Sequence, residues 1–170
     1  KGERAAFPQA RVVALAECGT HAMFAAKVGT YGQSEATLTE PLLQALEPGM
    51  LLTADRAFFS YALWRRAIGT GADLLWRVRT DSAGPKPTHL DDLADGSWLA
   101  HLRSNATAAA RRQEPMLVRV VDYTIDDGRA NAVSYRLFTT LTDPEEVSAS
   151  ELAAAYTHRW EIEVAFDELK

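Results

Sequence analysis

Short apolar runs alternate along the chain with segments whose leucines and alanines recur at helical spacing. The short runs predict strands, whereas apolar positions spaced by about one helical turn predict helices. Glycine, proline and aspartate residues predict where the elements end. The predicted elements, in chain order, are strands at 10–17 and 22–28, a helix at 34–46, a strand at 50–54, a helix at 58–68, strands at 73–79, 97–102, 115–125 and 130–140, and a helix from residue 148 onward.

The order of these elements is typical of the α/β class, because helices and strands alternate before a β-rich stretch and a closing helix. Ser148, with Glu151 three residues later, predicts a capping box at the start of that helix. The stretch 80–113 is rich in Pro, Gly, Asp and Ser and predicts mainly loop. The residues 126–129 (DDGR) predict the turn of the last β-hairpin.

Composition restricts the class of protein. Apolar residues are 47% and charged residues 24% of 170 residues, as expected of one globular domain with a sizeable core. The single Cys18 excludes an internal disulfide framework and a cysteine-based zinc site. The chain contains no long apolar run and no secretory leader, so we expect a cytoplasmic protein without membrane contact. The net charge of −5 argues against a nucleic-acid-binding protein, but a local basic patch is sufficient for one.

Four residues of the predicted last helix share one face. Tyr156, Arg159, Glu163 and Lys170 stand at offsets 0, 3, 7 and 14, which fall within roughly 60° of arc on an α-helix. An acid, two cations and a phenol on one face can hold a metal ion and a phosphate backbone. The ordinary alternative is an exposed salt-bridge ladder, because Arg159 and Glu163 are i, i+4 partners.

Asp55 directly follows the apolar run 50–54. Open α/β sheets present functional groups at the carboxyl ends of their strands, which favours a site at this position. The alternative is that Asp55 caps the following helix. Its neighbour Arg56 predicts either a phosphate contact or a structural ion pair, and the sequence does not distinguish these.

Two of these segments resemble a known family. The spacing Y-x2-R-x3-E-x6-K, from Tyr156 to Lys170, resembles the signature around the last catalytic acid of bacterial DDE transposases of the insertion-sequence-four superfamily. The segment 51–58 (LLTADRAF) resembles the motif around that family's second acid. The resemblance implies a ribonuclease-H-like mixed sheet flanked by helices, with the first strand missing. It divides the chain into core segments 10–79 and 145–170 and a β-rich insertion at about 80–140.

The resemblance also implies the chemistry. Asp55 and Glu163 would be catalytic metal ligands of a two-ion Mg²⁺ site, in which Mn²⁺ is an expected substitute. Tyr156, Arg159, Lys170 and Arg56 would position double-stranded DNA, both the element ends and the target, in a complex containing a homodimer. The first catalytic Asp would lie upstream of Lys1. We therefore expect a fragment of a longer transposase that is inactive alone.

Other residues and functions remain as alternatives. Trp98, inside the insertion, either holds a flipped base, as related transposases do, or anchors the core, which we favour. His21, His89, His101 and His158 have no metal-ligand spacing. One alternative is an inactive transposase remnant that at most binds DNA. A carboxylate-pair hydrolase using Asp55 and Glu163 is a further alternative, although it leaves Arg159 and Lys170 without a role.

Overall fold

Eight strands and four short helices make up the computed structural model, which describes residues 9–104, 106–125 and 133–160. The strands are β1 (Ala10–Ala16), β2 (Met23–Thr30), β3 (Leu51–Ala54), β4 (Asp73–Val78), β5 (Thr88–Asp92), β6 (Trp98–Leu102), β7 (Met116–Ile125) and β8 (Val133–Thr139). The α-helices are α1 (Glu35–Thr39), α2 (Tyr61–Ile68), α3 (Ala108–Arg111) and α4 (Ala149–Thr157). Two 3₁₀ segments, Glu40–Ala45 and His158–Trp160, follow α1 and α4.

Six strands form one mixed sheet in the order β3-β4-β8-β7-β6-β5. β3 and β4 are parallel, joined through α2, and the remaining neighbours are antiparallel. β1 and β2 form a separate antiparallel pair. The predicted α/β class with a mixed sheet is therefore confirmed.

The sheet is covered on both faces, because α2 and α4 pack on opposite sides of it. On the α2 face, Trp64 meets Trp76 edge-on at 5.1 Å between ring centroids and also contacts Phe138. On the α4 face, a second cluster contains Leu75, Val121, Leu137, Leu152 and Tyr156. Alternate residues of β4 thus enter different cores, as the two-residue period of a strand requires.

Local patterns predicted most elements and missed some. The helix predicted at 34–46 is α-helical only at Glu35–Thr39. It continues as a 3₁₀ segment that contains Pro41, which has no N–H for an α-helical bond. The helix predicted from 58 begins after Ser60, whose hydroxyl accepts from Leu63 N at 3.1 Å. The capping box of Ser148 and Glu151 is confirmed.

The stretch predicted as mainly loop contains β5 and α3. All five residues of β5 are exposed, so no apolar alternation marked it in the sequence. The predicted turn at 126–129 lies outside the described residues. β8 pairs directly with β4, so the strands assigned to an insertion extend the same sheet as the core. The division of the chain into core and insertion stays a prediction.

Candidate functional site

Asp55 lies immediately after β3, at the end where the parallel strands β3 and β4 both finish. Its carbonyl oxygen accepts from Phe58 N at 3.0 Å, and its Oδ1 accepts from Arg56 N at 2.6 Å. Since Ser60 is the N-cap of α2, the alternative that Asp55 caps this helix is wrong. The Asp55 side chain is 34% exposed. Its second carboxylate oxygen makes no hydrogen bond with the described residues.

Arg77, on the neighbouring strand, is the partner of Asp55 that sequence reasoning missed. Its Nη1 lies 3.9 Å from Asp55 Oδ1. Its guanidinium carbon is 4.1 Å from the centre of the Tyr135 ring, and its side chain is only 18% exposed. The stacking fixes a cation next to the acid. The available signal was an arginine within the apolar run Leu74–Val78, where a charge requires a partner.

Tyr156, near the end of α4, lies close enough to Asp55 and Arg77 for their charges to affect its phenol. Its side chain is buried, at 3% exposure, against the cluster on the α4 face. Burial raises the pKa of Tyr156 to about 12, with the Asp55 charge adding to the rise and the cations Arg159 and Arg77 opposing it. The phenol therefore keeps its proton at neutral pH.

Arg159 follows in the 3₁₀ turn after α4. Its guanidinium carbon lies 5.6 Å from the Tyr156 ring centre and 5.2 Å from that of Trp160. The 3₁₀ turn bears on the prediction that Tyr156, Arg159, Glu163 and Lys170 share one helical face. Successive residues rotate by about 120° in a 3₁₀ helix and not by about 100°. Glu163 and Lys170 lie outside the described residues, so the structure tests neither position.

Arg159 also lines an apolar groove between β1 and β3. The groove has a volume of about 440 Å³. Among the described strands, β1 pairs only with β2 and β3 pairs only with β4, so each has one edge without a described partner. Leu51 is 42% exposed here, although it belongs to a strand of the main sheet. The residues around the groove are 14–18, 24, 46, 50–53 and 159.

Arg56 is exposed and forms no ion pair with the part of the chain that the structure describes. The choice between a phosphate contact and a structural ion pair stays a prediction. Arg56 lines a hollow of about 280 Å³ together with Ser60, Tyr61 and Arg79. Arg79 is paired with Asp81 through Nε and Nη2. On this side of Asp55, Asp81 balances the charge of Arg79, and Arg56 supplies the positive charge.

Trp98 lies on the opposite face of the sheet from Arg77, since it shares the α2 face with Val120 and Phe138. It stacks on His89 at 5.4 Å between centroids, and Arg136 covers it at 5.6 Å. It also packs against the α2-face core. These contacts favour the anchoring role, because a flipped base would have to displace His89.

Within residues 9–104, 106–125 and 133–160, no group of three or more His, Cys, Asp or Glu side chains is arranged so that it could hold a metal ion. Asp55 is the single described member of the predicted set. Its half-exposed carboxylate, with one oxygen unbonded, fits a hard divalent cation. No helix among the described residues has the length and apolar character needed to cross a membrane.

Comparison with known proteins gives two matches. The family model described as "Transposase DDE domain" matches residues 1–170. The chain is 27% identical over 169 residues to the transposase InsG for insertion sequence element IS4 of Escherichia coli (strain K12). That alignment covers 99% of this chain and 38% of the relative, so the chain spans well under half of the relative's length.

Proposed function

Because this chain belongs to the transposase DDE domain family, we propose that it forms part of a catalytic domain for metal-dependent DNA strand cleavage and transfer at insertion-sequence ends. The observation that carries the proposal is the meeting of four side chains from three elements. Asp55 after β3 and Arg77 on β4 lie 3.9 Å apart, and the charges of Asp55, Arg77 and Arg159 all act on the phenol of Tyr156 on α4. An acid flanked by cations suits a reacting phosphate.

Each residue has a defined task in this proposal. Asp55, with Glu163, holds the divalent cation, which when bound supplies charge for the nucleophile and the leaving oxygen. Arg77 and Arg159 bind phosphate oxygens beside the cut strand. The protonated Tyr156 hydroxyl donates to a phosphate or to a water on it. Arg56, on the other side of Asp55, contacts the backbone further along the duplex. We expect both element ends and the target as DNA partners, and two copies of the protein in the complex.

The groove between β1 and β3 supports a ribonuclease-H-like arrangement. A strand placed there would hydrogen-bond to both open edges and join the two sheets into one. Its apolar side chains would cover Leu15, Leu51 and their neighbours. We propose that the first strand of the fold occupies the groove and delivers the first catalytic Asp beside Asp55.

The proposal is tested in the full-length protein with a cleavage assay on DNA carrying the element ends. Asp55→Asn and Glu163→Gln should each reduce end cleavage below detection while DNA-end binding persists, because only the metal-binding charge is removed. Asp91→Asn is the matched control, since Asp91 is an exposed acid on β5. Cleavage retained in Asp55→Asn, or lost equally in Asp91→Asn, would refute the assignment.

A further inference from the structure

Arg119 on β7 is a fully buried cation that joins three segments of the chain. Its side chain is 0% exposed. Nε donates to Ser97 Oγ at 2.8 Å, and Nη2 pairs with Asp95 Oδ2. Nη1 donates to the carbonyl oxygen of Val147 at 2.8 Å and lies 3.3 Å from those of Leu141 and Asp143. A buried guanidinium with all its edges occupied fixes the relative positions of its partners.

Asp95 connects this arginine to α4. Its Oδ2 accepts from the backbone N–H of Ala149, the first residue of the helix, at 2.6 Å. Its Oδ1 accepts from Ser97 Oγ at 2.6 Å and from Ser97 N at 3.2 Å. Burial alone would raise the pKa of Asp95, but these hydrogen bonds and the Arg119 charge outweigh it and lower the pKa to about 2. The carboxylate therefore remains charged at the helix N-terminus.

The β5–β6 turn holds Asp95 in place. Ser97 O accepts from Leu93 N at 2.8 Å, and Leu93 O accepts from Gly96 N at 3.1 Å. Gly96 has φ of +83°, which suits glycine at the last position of a three-residue hairpin loop. The turn thus presents a rigid carboxylate to α4, and it does so in addition to the capping box of Ser148 and Glu151.

The other end of α4 carries the proposed site. Tyr156 follows Ala149 by seven residues, or roughly 10 Å along the helix axis. A change in the position of the first turn therefore displaces the Tyr156 ring and the Arg159 guanidinium beside it. Asp95 of the β5–β6 turn contacts α4 directly through the Ala149 N–H, so the turn can act on the distant site through this helix.

We propose that Asp95, Ser97 and Arg119 form a positioning unit that sets α4 so that Tyr156 and Arg159 stand beside Asp55. This inference rests on the proposed function, because it concerns the geometry of the same site. None of the three residues touches DNA or the reacting atoms in it. Their contribution is to hold the helix N-terminus against the β5–β6 turn.

A double-mutant cycle in the full-length protein tests the unit, with Asp95→Asn and Arg159→Gln made singly and together. End cleavage and DNA-end affinity are measured well below the melting temperature of every variant. We expect Asp95→Asn to lower the cleavage rate roughly 10- to 100-fold, as a displacement of about 1 Å does. The double variant should be less impaired than the product of the two single effects, because part of the Asp95 effect acts through the Arg159 guanidinium. Effects that multiply would overturn the proposal.

Two further variants separate positioning from loss of fold. Asp122→Asn removes an acid of comparable geometry, since Asp122 Oδ1 accepts from Arg136 Nε at 2.7 Å without contacting α4. It should leave cleavage within about twofold of the wild type. Ser97→Ala keeps both charges and should give a smaller loss that is likewise reduced in the Arg159→Gln background. If Arg159→Gln itself cleaves normally, the proposed function fails. If Arg159→Gln is impaired while Asp95→Asn and Ser97→Ala cleave normally, only the positioning unit fails.

Discussion

At the residue scale, a candidate functional site differs from ordinary protein surface in the contacts that its charged side chains make. Asp55 and Arg77 lie 3.9 Å apart at the ends of two parallel strands, and Arg77 is further held on the Tyr135 ring. The ion pair alone contributes little to stability at this exposure. Its importance is that it keeps a cation beside the acid before any phosphate arrives.

Arg77→Gln in the full-length protein should weaken binding to element-end DNA, because one phosphate contact is removed. The slope of log affinity against log salt should become shallower by about one. Filter binding across a salt series measures both quantities. Arg103→Gln is the control. Arg103 follows β6, which is three strands away from β4 in the sheet, and donates a hydrogen bond to the carbonyl oxygen of Arg111. An unchanged slope for Arg77→Gln would exclude a phosphate contact.

Asp95 supplies a prediction about pH. Its folded-state pKa of about 2 lies below the ordinary value of 3.8, so its stabilisation is complete above about pH 5. It is lost as the pH falls through 3.8 towards 2. Asp95→Asn should therefore lower the free energy of unfolding by on the order of 1–2 kcal/mol at pH 6, and the difference from wild type should shrink by pH 3. Urea denaturation at both pH values measures this. A difference that grows on acidification would contradict the assignment.

At the element scale, capping assigns different roles to two residues only five positions apart. Ser60 starts α2 through its hydroxyl, whereas the hydrogen bond of the Asp55 carboxylate within the described part of the chain is to the next backbone N–H. The two side chains are thus separated by function: one stabilises a helix, and the other is available for a ligand.

Ser60→Ala should cost about 1 kcal/mol of stability, the usual cost of losing an N-cap. Asp55→Ala should change stability by less than about 0.5 kcal/mol, because it removes no cap. Chemical denaturation of both variants provides the comparison. The reverse order of the two costs would restore the capping role to Asp55.

At the scale of the whole molecule, two sheets face each other across an apolar groove. The open edges of β1 and β3 both border it, and Leu51 and Phe24 are exposed there although they are apolar. Open apolar edges are unfavourable in water unless they are covered. The pattern is therefore consistent with a strand that completes the sheet.

Leu51 and Leu117 provide a matched pair for this idea, since they are 42% and 45% exposed. In the full-length protein, Leu51→Asp should destabilise the fold by roughly 1.5–3 kcal/mol, the value expected for a leucine that is buried. Leu117→Asp should cost less than about 0.5 kcal/mol. Thermal and urea unfolding give both values. Equal small effects would show that the groove remains open.

Local patterns predicted the elements whose signals are local. The hairpin of β1 and β2, the strands β3 and β4, and the capping box of α4 all follow from apolar runs and caps within a few residues. β5 and α3 were not predicted. An exposed strand shows no alternation of apolar and polar residues, and a four-residue helix is only about one turn long, too short to show a helical period.

By itself, the sequence determined the α/β class, the position of Asp55 after an apolar strand, and the family to which the chain belongs. Those properties depend on spacing along the chain. Only the tertiary structure decided that Arg77 stands beside Asp55 and that Arg119 ties the β5–β6 turn to α4. These contacts join residues more than twenty positions apart. Strand register and helix packing create them, and no local pattern encodes either.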